Sequence, residues 1–203
     1  MEPPHLAAFP DMTLTDEKRA LRSAMLAWRG TLDEEERRAA ATDLLATLRR
    51  ERPIETPVVV SGFWPIKDEI DIRPLMMELF NEGCQMALPV VQGRGLPLLF
   101  RAWRPGDPLE AGVFGTLQPA ARRETVEPDS LLVPLLACDN EGWRLGYGGG
   151  FYDRTLLGLR SRRKVTAVGV GFDAQFISDD VPRGPDDQRL DWMLTDRRAC
   201  AFV

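Results

Sequence analysis

Hydrophobic positions in the first quarter of the chain recur at helical spacing. Leu21, Met25 and Trp28 fall on one face, and Thr15 followed by Asp16 and Glu17 reads as the start of a helix ending at Gly30. The acidic pair sits where the positive end of a helix dipole favours it. Thr31 and Glu34 have the spacing of a capping box, which opens a second helix carrying Leu44, Leu45 and Leu48 before Pro53.

The pattern then changes. Val58, Val59 and Val60 form a short β-branched run between Pro57 and Gly62, which predicts a buried strand. A third helix is expected from Pro74 to Glu82, with Gly83 as its stop. Strand patterns follow at Met86–Val91, Leu96–Trp103, Ser130–Leu136 and Lys164–Phe172, with a helix over Phe151–Leu159. Pro, Gly and charge between Pro105 and Pro128 predict mostly loop. Helices followed by strands alternating with helices predict an α/β fold: a single three-layer domain over residues 1–203, with a largely parallel central sheet flanked by helices. Residues 1–12 are expected to be a flexible leader, and no internal repeat or low-complexity tract is present.

Composition removes several function classes. The net charge of −5 gives no electrostatic reason to expect nucleic acid as a partner, although a local basic cluster remains able to hold one anionic ligand. Cys84, Cys138 and Cys200 lack metal-ligand spacing, lie beside apolar residues, and are expected to be buried thiols. The first residues lack a secretory pattern, and no apolar run approaches the ~20 residues that span a bilayer, so a cytoplasmic protein with no membrane partner is expected. His5 is the only histidine, which rules out a multi-histidine zinc site; it is expected to be exposed and unused. The sequence carries no signal of oligomeric state.

The chemistry concentrates in RLGYGGGFYDR, residues 144–154. Gly146, Gly148, Gly149 and Gly150 allow positive φ and close approach of backbone to ligand. Successive N–H groups in such a loop form an anion-binding concavity, and a helix starting near Phe151 adds its positive end. Arg144 and Arg154 flank the loop as candidate phosphate forks, and Asp153 is a candidate magnesium ligand. The loop has neither the Lys-Ser/Thr end of a Walker A motif nor the final glycine of GxGxxG, since Phe151 stands there. On composition alone it fits equally a surface turn before an ordinary helix.

The segment resembles the signature of the 5-formyltetrahydrofolate cyclo-ligase family, and further motifs of that family occur in order. They are KRALR at 18–22, SGFWPIKDEI at 61–70, ALPVV at 87–91, FGTLQP at 114–119, LLVP at 131–134, VGVGFDAQ at 168–175, and the stretch from Val181-Pro182 to Asp187. Together they cover the chain from about Lys18 to Asp196. The resemblance implies ATP-binding positions at Lys18, Arg19, Leu21 and Arg22 and through Arg144, Leu145, Gly146, Tyr147, Gly148, Gly149, Gly150, Phe151 and Tyr152. It implies substrate contacts at Arg22, Trp64, Glu69 and Tyr147 through Phe151, and catalytic roles at Glu69, Arg144 and Tyr152. Asp153 and Asp187 are the implied ligands of magnesium (Mg2+). Read without the family, Lys18 and Arg22 are solvated charges one turn apart, Trp64 is a core residue at a strand end, and Tyr152 is a packed aromatic.

The implied activity is ATP-dependent closure of 5-formyltetrahydrofolate to 5,10-methenyltetrahydrofolate, by phosphorylation of the formyl oxygen. Three positions depart from the family pattern: Gln118 replaces a frequent acidic residue, Asp186 a histidine, and Gly184 a glutamate. Gln118 and Asp186 motivate one rival, a divergent paralogue with another substrate; the other rival is a folate- or nucleotide-binding protein without turnover.

Overall fold

The computed structural model describes residues 12–56 and 58–202. In chain order the strands are β1 (Val59–Ser61), β2 (Gln85–Val91), β3 (Leu98–Ala102), β4 (Leu109–Ala111), β5 (Leu117–Pro119), β6 (Ser130–Pro134), β7 (Ala137–Cys138), β8 (Arg144–Leu145), β9 (Thr166–Gly171), β10 (Trp192–Thr195) and β11 (Ala199–Ala201). The helices are α1 (Leu14–Arg29), α2 (Glu34–Glu51), α3 (Arg73–Asn81) and α4 (Phe151–Arg160). Seven strands share the central sheet in the order β11-β10-β9-β6-β1-β2-β3. The inner five run parallel and both edge strands pair antiparallel.

Period-two alternation divides the core between the two sheet faces. Met86, Leu88, Leu132, Val168 and Leu194 pack with Leu21, Met25, Leu44, Leu75 and Leu79 of α1, α2 and α3. Ala87, Leu131, Val133, Ala167 and Met193 pack with Leu156 and Leu159 of α4. This is the layered α/β arrangement that the sequence predicts.

Helix starts differ from expectation by one or two residues. Thr13 caps α1, its hydroxyl oxygen accepting from the Asp16 N–H. Asp33, not Thr31, caps α2: it accepts from the Glu36 N–H at 2.8 Å, and the Glu36 carboxylate accepts from the Asp33 N–H at 2.9 Å. Thr31 instead donates to the Trp28 carbonyl at 2.7 Å, which closes the end of α1 and leaves the capping role to the next carboxylate.

Several short strands escape the sequence pattern. The β4–β5 hairpin interrupts the expected loop between Pro105 and Pro128, and β7 and β8 pair as a hairpin around the turn at Gly142. At two or three residues each, they are too short to show periodicity. β10 and β11, which the sequence pattern does not indicate, extend the sheet beyond β9. Cys84 and Cys138 are buried as expected, whereas Cys200, on the edge strand β11, is only half-buried. His5 and nearly all of the expected leader lie outside the described residues. Among the described residues no helix is long and apolar enough to cross a membrane.

One buried side chain ties the sheet to the segment carrying the glycine loop. The Gln175 amide donates to the Leu135 and Leu136 carbonyls at 2.8 and 3.0 Å and accepts from the Phe172 N–H at 3.0 Å. These carbonyls lie just beyond β6, where the chain leaves the sheet for the β7–β8 hairpin. Gln175→Leu leaves three buried backbone groups unpaired and is expected to cost about 3 kcal/mol in denaturant unfolding. A loss under about 0.5 kcal/mol would mean that water satisfies them instead.

Candidate active site

The connections after β1 and β6 diverge. From β1 the chain passes through α3 to β2, and from β6 it passes through the β7–β8 hairpin and α4 to β9, on the other side. Such a switch point leaves a crevice at the carboxyl ends of the strands. A cavity of ≈ 790 Å³ lies there, lined by Phe63, Trp64 and Glu69 after β1, by Pro134 at the end of β6, and by residues 144–153 of the glycine loop.

The loop has a cradle's backbone. Gly148 and Gly150 take φ of +93° and +64°, values that side chains rarely adopt, and Gly150 stands at the N-cap of α4. Beneath it lies Arg22 of α1, whose Nε donates to the Gly146 carbonyl at 2.9 Å. A Cβ at position 148 would lie 3.3 Å from that guanidinium carbon. Arg144 is buried, donating through Nη2 to Asp153 Oδ1 at 2.7 Å and through Nη1 to the Gln188 carbonyl. Burial lowers its pKa while the Asp153 carboxylate opposes the shift. Arg22 is likewise lowered by burial and supported by Asp187, and both guanidinium groups stay charged.

Two carboxylates face this cationic end. Asp153 Oδ1 also accepts from the Gln188 N–H at 3.1 Å, and Asp187 Oδ2 accepts from Lys18 and from the Gly184 N–H at 2.7 Å. Both line the cavity, and among the described residues no cluster of three His, Cys, Asp or Glu side chains could hold a metal. Two hard oxygen donors lining one cavity fit magnesium, which favours carboxylate oxygens and retained water.

Part of the cavity lining is aromatic. Phe114, 60% exposed on the link between β4 and β5, stands 6.1 Å from the Phe151 ring, and Trp64 meets Trp103 edge-on at 5.9 Å. Such a wall suits a flat heteroaromatic ligand. Glu69, 9% exposed, accepts from the Ile66 N–H at 2.9 Å and from the Tyr147 hydroxyl at 2.7 Å. Burial raises its pKa, against the opposing effects of those two donors and of Arg29. Burial also raises the phenols of Tyr147 and Tyr152, and the buried Tyr152 hydroxyl has no protein partner.

The structure therefore brings Lys18, Arg22, Trp64, Glu69, the run from Arg144 to Tyr152, Asp153 and Asp187 to one cavity. It takes Arg19 and Leu21 elsewhere. Arg19 turns outward to Asp16 at 2.8 Å, and Leu21 is 1% exposed in the core, because they occupy other faces of α1 than Lys18 and Arg22. Arg154 does not line the cavity either: it braces the loop from outside, donating to the Gly149 carbonyl and covering the Phe151 ring at 5.5 Å. Sequence reasoning assigned no role to Phe114, Lys67 or Arg94, which also line the cavity. Phe114 belongs to a recognised motif, and its positive φ of 59° marks it in the structure, but no periodicity singles it out.

A glycine loop at a switch point, opening into a partly aromatic cavity with a buried carboxylate, defines an α/β protein with one candidate ligand crevice. The family is narrower: the sequence model of the 5-formyltetrahydrofolate cyclo-ligase family matches residues 14–196, and this chain belongs to that family. It is 35% identical to a 5-formyltetrahydrofolate cyclo-ligase of Mycolicibacterium smegmatis over 89% of this chain and 94% of the relative. It is 34% identical to the enzyme of that name from Escherichia coli K12, over 62% and 71%. A 5,10-methenyltetrahydrofolate synthetase of Aquifex aeolicus superposes with a TM-score of 0.76 at 32% identity, covering 91% of this chain and 92% of that one. A synthetase from Mycoplasma pneumoniae, at 23% identity and a TM-score of 0.70, shares the fold.

The left-handed backbone at Gly148 generates a prediction. Gly148→Ala adds a strain of roughly 1–2 kcal/mol and sets a methyl group against Arg22. Nucleoside triphosphate affinity, measured calorimetrically well below the melting temperature, is expected to weaken about tenfold. A variant that melts earlier but binds as before would make the loop a turn and no more.

Proposed function

We propose that this chain catalyses ATP-dependent cyclisation of 5-formyltetrahydrofolate to 5,10-methenyltetrahydrofolate, with ADP and phosphate as the other products. The observation that carries this reading is the continuity of one cavity from the glycine loop, with Arg22 and Arg144, to the aromatic wall and the buried Glu69. One continuous cavity supports adjoining places for a triphosphate and a pteridine, which a direct transfer between them requires.

The formyl oxygen on N5 attacks the γ-phosphorus and ADP leaves, giving a phosphorylated iminium carbon. N10 attacks that carbon, loses its proton, and phosphate departs to leave the methenyl bridge. No protein nucleophile is needed; the protein positions the reactants and stabilises charge. The loop N–H groups, Lys18, Arg22 and Arg144 hold the phosphates. Glu69 accepts the N10 proton, and Trp64 and Phe151 pack the ring system. Tyr152, whose buried hydroxyl has no protein partner, offers that hydroxyl to the reacting groups. Asp153 and Asp187 would hold magnesium, which when bound neutralises phosphate charge. Gln118 and Asp186, the departures that motivate a divergent paralogue, do not line the cavity, which favours the cyclo-ligase reading.

Incubation with 5-formyltetrahydrofolate, ATP and magnesium is expected to give the methenyl chromophore with equimolar ADP and phosphate. Cyclisation at the same rate without ATP would sink the proposal. Asp153→Asn is expected to lower turnover at least tenfold and raise the magnesium needed for half-activity, since the amide keeps the shape but loses the charge a hard cation favours. Unchanged magnesium dependence would make Asp153 only the partner of Arg144.

A further inference from the structure

Arg29 lies on α1 two turns beyond Arg22, is not among the residues that line the cavity, and is 1% exposed. Its Nη2 donates to the Tyr147 hydroxyl at 2.6 Å, and its guanidinium carbon stands 5.6 Å from the Tyr147 ring centroid. Tyr147 in turn donates to Glu69 Oε1 at 2.7 Å. A guanidinium has donors only, so the Tyr147 oxygen accepts from Arg29, which leaves its own proton for the Glu69 carboxylate. With Glu69 Oε2 accepting from the Ile66 N–H, two donors converge on the carboxyl group, an arrangement that favours its carboxylate form.

A buried guanidinium is costly to retain. Among the described residues no carboxylate lies within ion-pair distance of Arg29, and its Nε has no partner, so local pairing does not account for it. What it reaches, through one hydroxyl, is the carboxylate of the cavity.

We propose that Arg29 is a positioning residue for the reaction: it turns the Tyr147 hydroxyl onto Glu69 and thereby keeps Glu69 an anionic acceptor. The inference rests on the cyclo-ligase reading for its chemical use. As the N10–carbon bond forms, the N10–H bond breaks and its proton passes to the Glu69 carboxylate. The charge relationship is the expected one, since burial drives Glu69 toward its neutral form while the Ile66 N–H, the Tyr147 hydroxyl and the Arg29 charge oppose it. Tyr152 from α4 also interacts with this carboxylate, and Lys67, in its own loop, lines the cavity. Lys18, Arg22 and Arg144 line the same cavity.

The test compares Arg29→Met, which keeps bulk without charge, with Arg29→Lys, which keeps the charge. Proton uptake by Glu69 is read from infrared difference spectra, its band being the one absent in Glu69→Gln; this needs no turnover. The pH dependence of kcat/KM is read beside it. Activity falls as pH drops through the Glu69 midpoint, so a higher midpoint moves the acid limb upward. Arg29→Met is expected to raise both by about one unit, a tenfold tighter hold on the proton. The alkaline plateau should change little, and Arg29→Lys should stay near the wild type. A folded Arg29→Met protein with the wild-type Glu69 midpoint overturns the proposal. Should Arg29→Met not fold, Arg29→Gln serves the same arm, with the same outcome required. Failure of the wild-type protein to form the methenyl product would instead sink the cyclo-ligase reading, while the infrared arm still tests the link.

Discussion

Adjacent parallel strands that send the chain away in opposite directions cannot both be covered by their following connections, and the site rests on this constraint. β1 leads to α3 on one face of the sheet and β6 leads to α4 on the other. Right-handed crossovers in opposite directions place helices on opposite faces and leave the crevice between them open. The glycine loop crosses that crevice because β8 ends at Leu145 and α4 begins at Phe151. Positive φ at Gly148 and Gly150 makes the tight passage possible.

Most charged side chains of the crevice are compensated by a neighbour. Lys18, Arg22 and Arg144 surround the loop, and two of them are paired with the candidate magnesium carboxylates, Lys18 with Asp187 and Arg144 with Asp153. Such pairing holds each cation and each anion near its working position while neither is left uncompensated in a partly dry site. Glu69 has no ion-pair partner in contact among the described residues and is compensated through Tyr147 by Arg29.

α1 shows how one helix serves core and site together. Leu21, Met25 and Trp28 bury one stripe, Lys18 and Arg22 line the cavity, and Arg19 faces solvent. The resemblance to a family named the near neighbours Lys18, Arg19, Leu21 and Arg22 together, whereas helical geometry divides them by face.

Much of the fold was determined by sequence. Apolar runs such as Leu131–Val133 and Val168–Val170, and helical faces such as Leu21–Met25–Trp28, state their own periodicity, because burial imposes it locally. The glycine loop and its flanking Arg144 and Asp153 were equally legible, since backbone freedom and charge are carried by single residue types. Tertiary structure decided the rest. The strands β4, β5, β7 and β8 are too short to have a period and exist through their partners. The place of Phe114 on the aromatic wall, the outward turn of Arg154 and the burial of Arg29 beneath Tyr147 depend on contacts between residues far apart in the chain. No local pattern encodes which distant side chain will meet a buried charge; the packing of α1 against the crevice does.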